Sequence, residues 1–444
     1  MVHCDSTMRS LVGRALLCTL AIFALLVPLA VPAVELDAIA KAAAGYSTGD
    51  PKLESLYRTA LLNTSKQVTL ASDGTAYVKT GDIPAEWLRD ASAQVRPYLF
   101  FAKDDPQVQT LLRGMIARMG KYLQVDPYAN AFTLDYRVWE QKFELDSLAY
   151  PITLAWTYWK QTGDTSIFTS DLAAGFDKAL DTMEREQDHP RNSHYVHHEL
   201  PAGKGNPVVY TGMIWSGFRP SDDACTYNYL IPSEMMAVVA LGELQEIERD
   251  VYHNLIKAQR ARALRDEVQT GIQTYGVVFT PNYGYVYAYE VDGMGHANLM
   301  DDANIPSLLS APYLGYTKSS SFIYKNTRRF LLSRDNPTYY VGKVARGIGS
   351  PHTSDGWVWP LAMLMQGFTA SSEAERKDVL SQLLASDPGD HLLHESFNPD
   401  DPMKFSRADF GWPNALFSEY VMTTFEGVPS LPVGSTSDLD FRGD

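Results

Sequence analysis

Two kinds of apolar segment alternate along this chain. The first kind is amphipathic, with charges on one side only: Leu53 to Leu62, Val108 to Leu123, Ser166 to Glu186, Leu244 to Tyr275, Ser321 to Arg334 and Ser372 to Leu384. Leu111, Met115, Met119 and Leu123 recur every four residues, the spacing of a helix with one buried face. The second kind is apolar nearly all round: Trp87 to Phe101, Leu145 to Trp159, Tyr229 to Leu241, Ile305 to Tyr316, Trp357 to Phe368 and Pro413 to Phe425. A helix that is apolar on every side is buried on every side. Most of these segments open near a proline (Pro84, Pro151, Pro232, Pro306, Pro360, Pro413), which a first helical turn tolerates because its N–H has no partner to lose.

Six half-exposed helices alternating with six buried ones can stack pairwise and close into a ring, with the buried helices inside. The pattern therefore predicts an all-α, (α/α)6 barrel. An open solenoid uses the same alternation, but no segment here reads as a polar terminal cap. Val277 to Tyr289 breaks the helical pattern. Its β-branched and aromatic residues flank a Pro-Asn-Tyr-Gly turn and predict a small β-hairpin inserted between helices. No long Pro/Gly/Ser linker divides the chain, and Gly434 to Asp438 reads as a loose tail.

The N-terminus changes the picture. Arg9 and Arg14 precede an apolar run from Ala15 to Val31, followed by Val31-Pro32-Ala33. A basic start, an apolar stretch and a small-residue exit predict a secretory signal peptide over residues 1–33, a single mature domain over residues 34–444, and a secreted or luminal protein. An uncleaved anchor is the rival reading, since the run is near bilayer-spanning length. Pro28, Pro32 and the small residues favour cleavage, and with it no membrane attachment. Cys4 and Cys18 lie in this segment, so the mature chain keeps Cys225 alone and the domain must stand on packing without an intrachain disulfide. Asn63-Thr64-Ser65 is an N-glycosylation sequon. The formal charge of −15 comes with no run of Lys or Arg, which excludes a phosphate-binding nucleic-acid partner. A monomer is the expected state.

The polar residues with chemical potential sit where buried segments begin: Glu86-Trp87-Leu88-Arg89-Asp90, Glu144-Leu145-Asp146, Arg219-Pro220-Ser221-Asp222-Asp223, Asp301-Asp302-Ala303-Asn304, Arg346 with His352, His394-Glu395-Ser396 and Arg407-Ala408-Asp409. In such a barrel all inner helices start at one end, so these loops converge on one carboxylate-rich mouth. Helix capping accounts for part of the acids, but not for the Arg and Trp beside them. There is no G-x-S-x-G elbow, P-loop or dinucleotide fingerprint, and Gly347-Ile348-Gly349 reads as a turn. His194, His197, His198 and Glu199 have metal-like spacing but lie in an irregular stretch without HExxH, so neither a metal nor a cofactor is expected. A cleft of Asp, Glu, Arg and Trp suits glycoside hydrolysis. That reaction needs a protonated carboxyl for the leaving oxygen and an ionised carboxylate for water.

Several of these segments together resemble glycoside hydrolase family 125. They are Ser216-Gly217-Phe218-Arg219-Pro220-Ser221-Asp222-Asp223-Ala224-Cys225 with Tyr229-Leu230-Ile231-Pro232-Ser233, Trp87-Leu88-Arg89-Asp90, Asp302-Ala303-Asn304-Ile305-Pro306, Arg346 to Thr353 (RGIGSPHT) and His394-Glu395-Ser396-Phe397. The resemblance runs from about Tyr46 to Phe425. It implies an (α/α)6 fold and exo-cleavage of terminal α-1,6-linked mannose, with inversion and without a metal. It also implies Asp222 as general acid and Glu395 as general base. Asp222 is preferred to Asp223, with Asp223 left to cap the next helix. Sugar-binding roles fall to Arg89, Asp90, Asp302, Asn304, Arg346 and His352, with Arg219 and Asp223 beside the acid and Asp146, Trp215 and Trp357 as weaker candidates. The substrate implied is a mannose-containing oligosaccharide such as mannan or an N-glycan. Another inverting (α/α)6 enzyme (a glucosidase, a trehalase-like enzyme or a disaccharide phosphorylase) and an inactive glycan-binding protein are the alternatives. The long motifs argue against the first, and the presence of both carboxylates against the second.

Overall fold

A computed structural model describes residues 36–434. The signal-like segment and all but the first residue of the expected tail lie outside the described residues. In chain order the helices are α1 (Asp37–Gly45), α2 (Pro51–Asn63), α3 (Leu88–Gln94), α4 (Pro106–Val125), α5 (Leu145–Thr162), α6 (Ser170–Glu186), the one-turn α7 (His189–Asn192), α8 (Ile231–Asp250), α9 (Leu255–Tyr275), α10 (Phe322–Leu331), α11 (Pro360–Phe368), α12 (Glu373–Ser386) and α13 (Gly411–Thr424). Strands are short, and the predicted hairpin pairs Val277–Thr280 with Gly284–Tyr287.

The inner ring is read from the packing. α3 lies against α5, α5 against α8, α11 against α13, and α13 back against α3. α4 and α6 pack together outside α5, α9 covers α8, α12 covers α11, and α2 covers α13. This is the (α/α)6 barrel the alternation predicts, with five regular inner helices. Pro232 and Pro360 sit in first turns as expected, whereas Pro151 lies inside α5.

The sixth inner position differs from the expectation. Ile305 to Tyr316 forms successive turns instead of a helix. Side chains take the backbone groups that a helix would pair. The Asp301 carboxylate accepts from Leu308 N at 2.9 Å and Leu309 N at 3.0 Å, and Ser307 and Ser310 bond each other's N–H groups. Pro306, Pro312 and Gly315 remove what regularity is left. The segment still closes the ring. Tyr150 of α5 donates to Ile305 O at 3.1 Å, and Tyr313 donates to Glu419 of α13 at 2.9 Å.

Three smaller departures have local causes. The long segment Leu244 to Tyr275 is cut at Val251–Asn254, where His253 is left-handed and the Asn254 side chain caps α9 through Lys257 N. The buried run from Trp87 loosens after Gln94 into a 3₁₀ turn, where Pro97 has no N–H to extend the ladder. Arg346–Ile348 is a strand paired with Tyr339–Val341, not a turn. Gly349 just after it is required by crowding, since a Cβ there would lie 2.1 Å from Trp357 O. The sequon is closed off: Asn63 is 4% exposed and its amide donates to Asp409 at 3.0 Å.

Because Asp301 carries the turns that replace a helix, Asp301→Ala should lower the unfolding free energy by about 1–4 kcal/mol, with Asp301→Asn costing less. Urea denaturation measures this, and an unchanged midpoint for the alanine variant would show that the turns hold without the carboxylate.

Candidate active site

The loops leading into the inner helices meet at one end of the barrel around a polar cavity of about 170 Å³. Each wall has a local reason. Glu86–Trp87 pairs with Ala131–Phe132, which pairs with Val138–Glu140, and this small sheet fixes Trp87 at the rim. α3 starts at the next residue, so Arg89 and Asp90 project from its first turn into the cavity. Asp222 sits on a reversal in which Asp222 N donates to Arg219 O at 2.9 Å and Arg219 N to Asp223 O at 2.8 Å. Its own φ is +66°, a region that L residues enter at a cost and that Asp enters more readily than most. Glu395 precedes the hairpin pairing Phe397–Asn398 with Asp401–Phe405.

Arg89 is 3% exposed and is the electrostatic centre of the site. Its guanidinium lies 2.6 Å from Glu144, 3.2 Å from Asp146, 3.3 Å from Asp90 and 3.6 Å from Asp222. Asn130 donates to Asp222 at 3.1 Å. Burial raises the Asp222 pKa, but Arg89 and the neighbouring Glu144 carboxyl outweigh it and hold Asp222 below the ordinary value. Burial pushes Asp90 up to about 6. Burial also raises Glu395, which Arg407 at 3.9 Å opposes. Arg407 is itself held by Asp82 at 2.9 Å and by Thr80 O.

The structure brings six of the sequence-predicted residues to the cavity wall: Arg89, Asp90, Asp222, Asn304, His352 and Glu395. Four more stand behind it. Asp146 holds Arg89, and Arg219 pairs with Glu290 at 2.6 Å. Asp302 accepts from Ser221 at 3.0 Å and from Asn304 N at 3.2 Å. Asp223 bonds His352 Nδ1 at 3.1 Å and caps no helix, so the capping expectation fails. Three residues lie elsewhere. Arg346 is ion-paired with Asp378 on α12, because the strand it opens directs it outward. Trp215 is fully buried, stacked on His189 at 3.6 Å. Trp357 is half-buried and does not line the cavity; Trp359, two residues on, takes that wall, with its indole donating to Thr353 at 2.9 Å.

Sequence reasoning placed Trp87 and Arg407 at the mouth without giving them a role, and did not single out Trp359 and Phe410. Each lies within two residues of an inner-helix start or a quoted motif, and that position was the available signal. Among the described residues no three His, Cys, Asp or Glu side chains gather as the ligands of a metal would.

His352 provides a test of this geometry. Its hydrogen bond to Asp223 pushes the imidazole up to about 9, from an ordinary 6.5. A raised folded-state value means that the pair contributes fully below about pH 6.5 and loses its contribution as pH rises through about 9. NMR titration should therefore find His352 charged at neutral pH, and Asp223→Asn should return it toward or below 6.5. A wild-type His352 titrating near 6.5 would contradict the contact.

The site can be set against known proteins. The family model described as metal-independent alpha-mannosidase (GH125) matches residues 50–137 and 133–422. A Streptococcus pneumoniae metal-independent alpha mannosidase, solved in a non-productive complex with alpha-1,6-mannobiose, is 41% identical, with a TM-score of 0.83 over 87% of this chain and 96% of that one. The meiotically up-regulated gene 157 protein of Schizosaccharomyces pombe is 39% identical over 396 residues, which is 80% of this chain and 77% of that protein. A bacterial glucoamylase complexed with acarbose shares the fold at 14% identity and TM-score 0.61, over 84% of this chain and 55% of that one. On these matches, the chain belongs to the metal-independent α-mannosidases of glycoside hydrolase family 125.

Proposed function

We propose that this α-mannosidase is exo-acting, cleaves terminal α-1,6-linked mannose and inverts the anomeric centre. The observation that carries the reading is that Asp222 and Glu395 reach one cavity from distant parts of the chain, and that Arg89, Asp90, Asn304 and His352 line the same cavity to hold sugar hydroxyls. In this reading Asp222 gives its proton to the glycosidic oxygen as the bond to C1 breaks. Glu395 takes a proton from the water that attacks C1 from the other face. Asp222 is the acid in preference to Asp223, because Asp222 faces the cavity and Asp223 is engaged with His352. A cavity of about 170 Å³ at the end of a ring favours one terminal sugar over an internal stretch of chain. The α-1,6 linkage is carried over from the mannobiose in the pneumococcal relative. Glucosidase or phosphorylase activity has no observation in its favour beyond the shared fold. The signal-like N-terminal segment supports secretion, which N-terminal sequencing of extracellular protein would test by finding a start near Val34.

With α-1,2-, α-1,3- and α-1,6-mannobiose offered in parallel, free mannose should appear from the α-1,6 isomer, unaffected by EDTA. The first product seen by NMR should be β-mannose, and early α-mannose would overturn the base assignment. Asp222→Asn should lose about 10²–10⁴-fold on mannobiose but recover on mannosyl fluoride, whose leaving group needs no proton, while Glu395→Gln should fail on both. If Asp223→Asn shows the leaving-group dependence instead, the acid is displaced by one residue. Because burial raises Glu395, activity should fall on acidification at a pH above 4.5, where the base becomes protonated.

A further inference from the structure

One feature of the Arg89 cluster exceeds what sugar binding needs. Four carboxyl groups, Glu144, Asp146, Asp90 and Asp222, lie within 3.6 Å of a single guanidinium. Glu144 and Asp146 are both 0% exposed. Four ionised groups around one guanidinium, with only Lys142 and His352 as further cations nearby, would leave uncompensated buried charge, so the cluster retains protons. The hydrogen bonds indicate where. Asp146 uses one oxygen on Arg89 at 3.2 Å and the other on Ser233 at 3.4 Å. Asp90 lines the cavity and sets its Oδ2, which has no hydrogen-bond partner among the described residues, against Arg89 at 3.3 Å. Glu144 uses Oε2 twice, for Arg89 at 2.6 Å and Ser147 at 3.0 Å. Its Oε1 is buried and has no hydrogen-bond partner among the described residues, and Asp222 stands on the same guanidinium, 3.6 Å from Arg89.

Resting on Asp222 as general acid, we infer that Glu144 is a positioning residue that shares one proton with Asp222 and supplies it for catalysis. Two buried carboxyl groups on one guanidinium cannot both ionise easily, so the pair holds its last proton more tightly than a lone acid would. Burial and the neighbouring acids push Glu144 well up, so at rest the proton lies on Glu144. The other charged groups facing the pair are Glu140 and Lys142 from the adjoining strand and loop and His352 from the opposite wall. Tyr195 and Cys225 nearby are raised by burial and stay neutral.

The proton balance follows. As the sugar displaces water, the proton crosses from Glu144 to Asp222. Asp222 passes it to the glycosidic oxygen, which keeps the electron pair of the breaking C1–O bond. Water adds to C1 and its proton goes to Glu395. The dyad has lost one proton and Glu395 has gained one, which returns through solvent after product leaves.

The test is kcat/KM against pH for wild type, Glu144→Gln and Glu144→Asp, on α-1,6-mannobiose and on mannosyl fluoride. In Glu144→Gln the like charge is gone and the amide stabilises ionised Asp222. The alkaline limb on mannobiose should therefore move down by about one pH unit or more. Fluoride turnover should change little, and Glu144→Asp should restore the limb. A Glu144→Gln variant that melts like wild type yet loses the same factor at every pH, or on both substrates, overturns the inference. If that variant does not fold, the wild-type enzyme decides by infrared titration. A protonated-carboxyl band should fade along the alkaline limb, and the lack of one titrating there overturns the inference equally. Asp222→Asn separates the two readings: without leaving-group dependence the acid assignment fails, and with it a fixed limb in Glu144→Gln rejects Glu144 alone.

Discussion

The site depends on one buried cation. Arg89 stands on the first turn of α3 and reaches acids from α3 itself, from the entry to α5 and from the Arg219–Asp223 reversal. Removing one member of a buried ion pair commonly costs about 3–5 kcal/mol, because its partner is left charged without compensation. Here the partners come from three parts of the chain. The guanidinium therefore binds inner-ring elements together as well as tuning the carboxylates. Its donors are arranged in a plane, which a lysine in the same place could not reproduce.

The barrel explains why such a cluster forms at this end. Every inner helix contributes its N-terminus, where unpaired N–H groups and the helix dipole favour negative charge. The other end of those helices is filled by apolar packing and by Arg96 against Glu419 at 2.9 Å. Acids therefore collect at the mouth for a physical reason that precedes catalysis, and the chemistry draws on a charge distribution that the architecture already favours.

Much of this was legible in the sequence. Helix positions were readable because the inner and outer segments differ in how much of their circumference is apolar, and that contrast survives without knowledge of contacts. The residues at inner-helix starts were legible for the same reason, and six of the proposed site residues line the cavity. What failed depended on side-chain competition or direction. Asp301, Ser307 and Ser310 capture backbone groups and prevent a helix that the apolar pattern of Ile305 to Tyr316 suggests. Arg346 belongs to a family-like motif but leaves its strand on the outer side, toward Asp378. Trp357 and Trp359 differ by two places, and sequence alone does not say which indole faces the cavity.

The backbone at Asp222 sets folding against chemistry at one position. A left-handed conformation costs an L residue roughly 1–2 kcal/mol, which glycine avoids. Against that gain stands the ion pair with Arg89, which with its neighbours holds the Asp222 carboxyl below its ordinary value, so removing the side chain also removes a favourable charge interaction. A chain with glycine at this position would gain backbone ease, lose the ion pair and lack the acid proposed above. The left-handed backbone is therefore a cost carried for the sake of a side chain, and backbone ease alone would draw this position toward glycine.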